Sequence, residues 1–467
     1  MENQIEVLSG DMDVRKVNPV EIEAVNGETV AGEEQARPWK RAIQWLMFLG
    51  PFFLISYSLA NWLASEQQSV VTLVFEWEKN IPFIPWTIVP YWLIDILYVA
   101  SLFLCVTKTE LDSHAKRLLT AQVIAVMFFI TLPMGFSFEK PETSGLTGAM
   151  FVALESFDQP YNQAPSLHIA LLVILWDLYI RHLPRKLIWA FHALSVLIAI
   201  SVLTTYQHHF IDIPTGALLG WFCVWLWPAD GEKMFSLKNT GFRKKESLIA
   251  AYYFIASLIL FLIAINIGGV YLWLNWPAAS LLTVAVIYVF SGAEGFQKND
   301  QGEISVAAKI LLFPYLIAAK INSRLWTWNK PPANLIEDDV WLGRYPSGSD
   351  VNFKACRSVI DLTAEFNRQS VAINWYSFPC LDLVLPEKEK VLRAADLIEV
   401  EWRKGPVLVS CALGYSRSAL VVIAWLLISK READVDAAIN KVISKRPDVL
   451  ISRHSKALLH EICEQVR

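Results

Sequence analysis

Charged residues are scarce in this chain: Asp, Glu, Lys and Arg make up 18% of its 467 residues, against about a quarter in soluble domains. Such a chain is poorly suited to life as a water-soluble enzyme. The net charge of −4 is small, and no basic stretch leaves the footprint of a nucleic-acid binder. The six cysteines at 105, 223, 356, 380, 411 and 463 show neither paired nor zinc-type spacing, which argues against a disulfide framework or a metal centre. Residues 1–38 are polar and acid-rich and lack the basic start, apolar core and cleavage site of a signal peptide; a disordered tail is expected there. There is no internal repeat or low-complexity tract.

What the chain has instead is apolar mass: 54% hydrophobic residues, 19 Trp and a mean hydropathy of +0.37. An integral, multi-pass membrane protein is expected, of a bacterial inner membrane or its equivalent. Runs at 42–64, 86–107, 117–136, 166–181, 187–205, 211–228, 248–272 and 276–292 approach the roughly 20 helical residues that cross a bilayer. These eight runs predict eight spans. Arg37, Lys40 and Arg41, then Lys108, Lys116 and Arg117, then Arg181, Arg185 and Lys186, then Lys233, Lys238, Arg243, Lys244 and Lys245 all fall on one side of them. By the positive-inside rule that side is cytoplasmic. The loops 137–165 and 206–210 then lie opposite. Segment 305–321, with Lys309 and Pro314 inside it, is short for a ninth span and predicts an interfacial or connecting helix.

From about residue 334 the pattern changes. Short β-like runs at 340–343, 358–362 and 407–410 alternate with helical periodicity at 386–403, 417–430 and 433–445. The expected organisation is a tail (1–38), a membrane-embedded domain (39–228), further spans with a connecting helix (229–333) and a cytoplasmic α/β domain (334–467) large enough to bury its own core.

Within that last domain, Cys411-Ala412-Leu413-Gly414-Tyr415-Ser416-Arg417 is followed by Ser418. A cysteine ending a strand, a tight loop with Gly414 and an arginine opening a helix gather backbone N–H groups around one point. Such a nest binds a phosphate dianion and lowers the thiol pKa, so the thiolate of Cys411 attacks phosphorus while Arg417 grips two oxygens. Ser418 is placed to stabilise the thiolate as it leaves. Asp382 is the candidate acid for the departing alkoxide, and Asp361 reads as a structural carboxylate at a strand end. Over about 335–467, including Leu342-Gly343-Arg344-Tyr345-Pro346 and Lys445-Arg446-Pro447, the chain resembles the dual-specificity branch of the protein tyrosine phosphatase superfamily. That resemblance implies Cys411 as nucleophile, Arg417 as phosphate clamp and Asp382 as acid. Ser410 stands where that family usually has histidine.

A second constellation lies upstream. Pro165-Ser166-Leu167-His168 is followed by Gln207-His208-His209-Phe210-Ile211-Asp212. Histidine attacks phosphorus directly when a carboxylate holds its other nitrogen and a second acid protonates the leaving oxygen. The four-residue spacing of His208 and Asp212 puts both on one side of a helical turn. The region 86–228 resembles the type 2 phosphatidic acid phosphatase superfamily of lipid phosphatases and phosphotransferases. By that resemblance His208 is the phosphohistidine nucleophile, Asp212 its orienting carboxylate and His168 the acid, with Ser166 and Lys140 beside the phosphate. Leu167 in place of the family's glycine looks more like the branch that makes inositol phosphoceramide. Pro133 and Val202 occupy positions where the family carries cations, and Ser201 keeps its place.

Together these motifs predict a bifunctional membrane phosphatase acting on lipid phosphates, needing no metal or other cofactor, with membrane lipids and a lipid phosphate or phosphoprotein as partners. A lipid head-group phosphotransferase with a trimming phosphatase domain is the first alternative. A membrane enzyme carrying a non-catalytic phosphate sensor, suggested by Ser410, is the second.

Overall fold

A computed structural model describes residues 37–66, 71–156, 161–231, 244–348, 350 and 355–466. Most of the expected tail, together with Lys233, Lys238 and Arg243 of the last basic cluster, lies outside the described residues.

The first part of the chain is a helical bundle: α1 (Trp39–Ser65), α2 (Ile88–Leu104), α3 (Lys108–Thr131), α4 (Gly145–Glu155), α5 (Leu167–His182), α6 (Arg185–Thr204), α7 (Asp212–Leu226), α8 (Lys244–Ile267) and α9 (Asn275–Val286). Every apolar run falls on one of these helices. Five segments are long and apolar enough to cross a membrane: Trp39–Ser65, Pro85–Leu104, Arg185–Thr204, Lys244–Ile267 and Gly269–Phe296. The other three runs fall on α3, α5 and α7, which do not qualify. α3 starts at Lys108 and carries Glu110, Asp112, Lys116 and Arg117 through its first half, whereas α5 and α7 have only 16 and 15 residues. Their apolar side chains serve the inside of the bundle: Ile174, Leu175 and Leu178 of α5 and Cys223 and Trp225 of α7 are fully buried. Gly216 lets α5 and α7 touch, because a Cβ there would stand 2.4 Å from the carbonyl oxygen of Ser166.

The basic loops meet at one end of the bundle, where some of their arginines are paired. Arg41 Nη2 donates to Asp112 (2.7 Å), Arg117 Nη1 to Asp177 (2.7 Å) and Arg181 Nη1 to Glu110 (2.9 Å). The Ser166 and His208 motifs lie at the other end. α7 runs between the two ends, and 15 residues at 1.5 Å per residue give about 22 Å.

Segment 305–321 is two helices and not one. It breaks at Leu312 into α10 (Val306–Leu311) and α11 (Phe313–Trp326), with Pro314 in the first turn of α11, where a missing N–H costs nothing. α10 packs on α7 and α11 on α9. The tip is fastened to α9 by Trp276 Nε1 donating to the Ile310 carbonyl (3.1 Å) and by Phe313 stacked on Trp276 (5.3 Å). The pair is thus a helical hairpin that enters the bundle and returns.

The C-terminal part is the expected α/β fold. Strands β1 (Ala333–Glu337), β2 (Val340–Arg344), β3 (Ser358–Thr363), β4 (Asn374–Cys380) and β5 (Val407–Cys411) form one sheet in the order β1-β2-β5-β3-β4, parallel except for β1 with β2. Helices α12 (Lys388–Glu401), α13 (Arg417–Ile428), α14 (Val435–Lys445) and α15 (Arg453–Val466) complete it. β5 is buried along its whole length, as the continuous apolar run of a central parallel strand requires.

This domain buries a core of its own, with Leu342, Ile360, Val409 and Trp425 in it, and it also shares the core of the bundle. Ala364 and Leu381 belong to the hydrophobic core of the bundle, with Val384 packed against it. Lys298 and Asp361 form a completely buried ion pair (2.6 Å), and Asp361 also accepts from the N–H of Thr363 (2.8 Å) and from Trp375 Nε1 (3.2 Å). The main chain of Arg368 and Ser377 donates to Gly302 (2.7 Å) and Asp300 (3.0 Å). Residues from Pro38 onward therefore form one compact unit.

Candidate active sites

β5 delivers Cys411 to the carboxyl edge of the sheet, where parallel strands place their ligands. The loop that follows turns back over β2. Gly414 has φ +76°, and a Cβ there would meet the Gly343 carbonyl oxygen at 2.5 Å, so only glycine passes. The turn brings the Gly414 N–H to 3.3 Å from Cys411 Sγ, and Ser418 Oγ donates to the same sulfur at 3.2 Å. Burial by itself pushes the Cys411 thiol up, but the Arg417 guanidinium, the Ser418 hydroxyl and the N–H groups of Ser418 and Ser416 outweigh it and hold the thiol below its ordinary value. Ser410 takes no part in this: its Oγ is buried without a hydrogen-bond partner.

Arg417 opens α13 and is held from three sides. Its Nη1 donates to Glu365 Oε2 (3.1 Å) and to the Cys380 carbonyl (2.7 Å), and its Nη2 to Glu365 Oε1 (2.7 Å). Asp382 Oδ1 stands 3.0 Å from Nη2 and is about half exposed. Arg446, from the Lys-Arg-Pro element, secures the outside of the loop by donating to the carbonyls of Gly414 (2.9 Å) and Leu413 (3.0 Å). Two supports come from outside the α/β fold. Ser323 of α11 donates to the Ala412 carbonyl (2.6 Å), and Tyr288 donates its hydroxyl to the Asp382 carbonyl (3.1 Å).

The structure thus brings Cys411, Gly414, Arg417, Ser418 and Asp382 into one cleft. Sequence reasoning missed Glu365, the bidentate partner of Arg417. The one signal for it was chemical: a guanidinium buried under a loop needs a carboxylate, but several acids stand near the ends of β3 and β4.

The histidine constellation also assembles. α7 begins only at Asp212, so His208 sits in the turn before it, not on the helix itself. Its Nδ1 is 3.2 Å from Asp212 Oδ2 and its Nε2 is 3.1 Å from Ser166 Oγ. Ser166 caps α5 by accepting from the Ile169 N–H (3.3 Å), and its own N–H donates to the Asp212 carbonyl (3.2 Å). His168 stacks on Tyr91 (4.1 Å), and its Nε2 is buried with no partner. Lys140 is directed elsewhere, to Glu155 at 3.2 Å. Ser201 Oγ donates to the Ile198 carbonyl within α6.

His209 has a carboxylate of its own. Its Nδ1 lies 3.2 Å from Glu78 Oε2, which also accepts from the Phe210 N–H (2.8 Å). Phe136 stacks on its ring at 4.5 Å. Sequence spacing gave no hint of Glu78, which arrives from the short 3-10 helix Glu76–Asn80, more than a hundred residues away. Among the described residues no group of three or more His, Cys, Asp or Glu side chains is arranged to hold a metal ion.

Residues 341–465 match the family described as "Dual specificity phosphatase, catalytic domain". The C-terminal part is accordingly a phosphatase domain of the dual-specificity type, and the protein is a phosphoric monoester hydrolase. No curated protein matches the chain significantly. Among solved structures it is similar to Tk-PTP in its active form (25% identity, 29% of this chain and 98% of that one, TM-score 0.27). It is also similar to a mouse dual-specificity phosphatase complexed with zinc tungstate (20%, 29% and 89%, 0.27) and to PTPMT1 in complex with PI(5)P (18%, 29% and 96%, 0.27).

Proposed function

We propose that the protein is a two-site membrane phosphatase acting on lipid phosphates, with a cysteinyl-phosphate site in the C-terminal domain and a phosphohistidine site in the bundle. The five apolar segments lie in the bilayer, and the basic end with the C-terminal domain lies in the cytoplasm. The observation that carries this reading is the convergence of Gly414, Ser418 and Arg417 on the Cys411 sulfur.

At that site the thiolate attacks phosphorus and an S–P bond replaces the ester P–O bond. Arg417 and the loop N–H groups take the charge on the equatorial oxygens. Asp382 gives its proton to the leaving alkoxide, then accepts one from the water that cleaves the S–P bond and releases phosphate. In the bundle, His208 Nε2 attacks, Asp212 holds the tautomer from Nδ1, and His168 protonates the leaving oxygen. Water then cleaves the N–P bond.

One observation favours a variant at the histidine site. Lys140 is engaged by Glu155, which leaves less cationic support than a phosphomonoester dianion needs, whereas a singly charged phosphodiester needs less. Transfer of a head group to an alcohol, with that alcohol in place of water, fits this site as a second reading.

The test is phosphate release by purified full-length protein from a panel of lipid phosphates and from an aryl phosphate, beside Cys411→Ser and His208→Ala. Loss of aryl phosphate hydrolysis in Cys411→Ser is expected. Binding of phosphate without hydrolysis of any monoester would replace the cysteine reading with that of a sensor.

A further inference from the structure

α11 has two faces, and only one is accounted for by the protein. Tyr315 and Ser323 are buried, and Ser323 holds the backbone next to Cys411. On the other side Phe313, Ile317, Ile321 and Leu325 are exposed to 46%, 41%, 54% and 66%. Their four-residue spacing puts them in one stripe, beside which Lys320 is also exposed, and Trp326 and Trp328 at the end of the helix are 67% and 79% exposed.

What covers the stripe follows from where it begins. Phe313 stacks on Trp276 within the apolar segment Gly269–Phe296, so the stripe starts at the depth of a candidate span and continues its lipid-facing surface. It ends among exposed indoles at the basic end, where Trp39 opens α1 and Trp189 lies in the first turns of α6. Trp62 and Trp273 are exposed toward the opposite end. Tryptophan at both rims of an apolar band is the pattern of a membrane interface.

We infer that the outer face of α11 lies in lipid, with its last turn at the basic-side rim, and fixes the Cys411 cleft at that bilayer surface, so that its substrate is the phosphomonoester head group of a lipid in the basic-side leaflet. The inference rests on the reading of Cys411 as nucleophile. Ser323, one turn before Trp326, is bonded to the residue after Cys411, which sets the depth of the loop. The acid side of the cleft leans on the bundle as well. Leu381 is in the bundle core, Tyr288 holds the Asp382 carbonyl, and Leu383, 61% exposed, projects beside them.

The experiment uses the full-length His208→Ala protein in vesicles, so that only the cysteine site turns over. The probes are phosphatidylinositol monophosphate in the vesicle, its deacylated water-soluble head group, and an aryl phosphate. The lipid is expected to be turned over at least about a hundredfold more efficiently than its deacylated form, because both acyl anchoring and a fixed cleft height favour it. The rate should fall when the lipid is diluted within the membrane at constant bulk concentration. Leu325→Glu and Ile317→Glu should each lower the lipid preference about tenfold while leaving aryl phosphate hydrolysis unchanged. Equal turnover of lipid and soluble head group, no surface dilution, or preference for a phosphopeptide would overturn the inference while the nucleophile assignment stands. Failure to hydrolyse even the aryl phosphate would remove both.

Discussion

The proposed anion cradle at Cys411 is main chain, and the proposed one at His208 is side chains. The cysteine loop needs a seven-residue turn, a glycine where a Cβ would stand 2.5 Å from a neighbouring carbonyl oxygen and a helix starting at Arg417; all its proposed anion-binding groups come from one stretch of sequence. The histidine site gathers Ser166 and His168 from the start of α5, Asp212 from the start of α7 and His208 from the turn before it. Its neighbour His209 depends on Glu78. A local nest keeps its geometry through its own backbone, whereas a site pieced together from helix ends is only as good as the packing of the helices. The close contact of α5 with α7 at Gly216 is what holds the second kind in place.

The widest separation between the two sites is expected from their nucleophiles. Cys411→Ser should lower aryl phosphate hydrolysis by about 10⁴-fold or more and leave the His208-dependent release of phosphate from lipid intact; His208→Ala should do the converse. Phosphate release by each variant on both substrates checks this, and one substitution silencing both activities would mean that the sites work as a single system.

Next comes dependence on the bundle. Lys298→Ala leaves Asp361 buried and unpaired, which should cost about 3–5 kcal/mol and lower the temperature at which aryl phosphate hydrolysis is lost, with less effect on the histidine activity. An unchanged thermal profile would make the phosphatase domain as self-sufficient as its length suggested.

Asp382→Asn should slow hydrolysis of alkyl phosphates about 10²–10³-fold and slow aryl phosphates with good leaving groups much less, since those need no proton. A uniform loss on both would assign the acid elsewhere and leave Asp382 as a partner of Arg417.

The smallest effect belongs to pH. The Cys411 thiol is held below its ordinary value, so its thiolate persists to lower pH than that of an ordinary cysteine and disappears as pH falls through the depressed pKa; kcat/KM should fall with it. Ser418→Ala removes a donor to the sulfur and should move that acidic limb to higher pH, by a few-fold in rate on its steep part. A limb that stays in place would show that Arg417 and the backbone alone set the thiolate.

Legibility followed the same divide. The strands at 340–343, 358–362 and 407–410, the helix after Arg417 and the cysteine loop between them were readable because local patterning decides them. The apolar runs were readable as helices, but not as to what covers them: α5 buries its leucines against protein with the same composition it would show to lipid. Segment 305–321 was legible as helix but not as two helices, for a related reason. A two-helix hairpin and a surface helix share one apolar content, and the break at Leu312 is set by packing on α7 and α9. Glu365 and Glu78 were invisible because each reaches a basic partner from a distant part of the chain. The joint between the parts was hidden too, since Ala364 and Leu381 look like ordinary core residues of the domain that contains them.

The hydrogen bond from Ser323 to Ala412 also has a bearing on biosynthesis. α10 and α11 leave the ribosome after the bundle helices and before the cysteine loop, and α11 finds its place only once α7 and α9 are there to receive the hairpin. The cysteine loop is thereby made after the helix that supports it, so that Ser323 is already in the chain when Ala412 emerges.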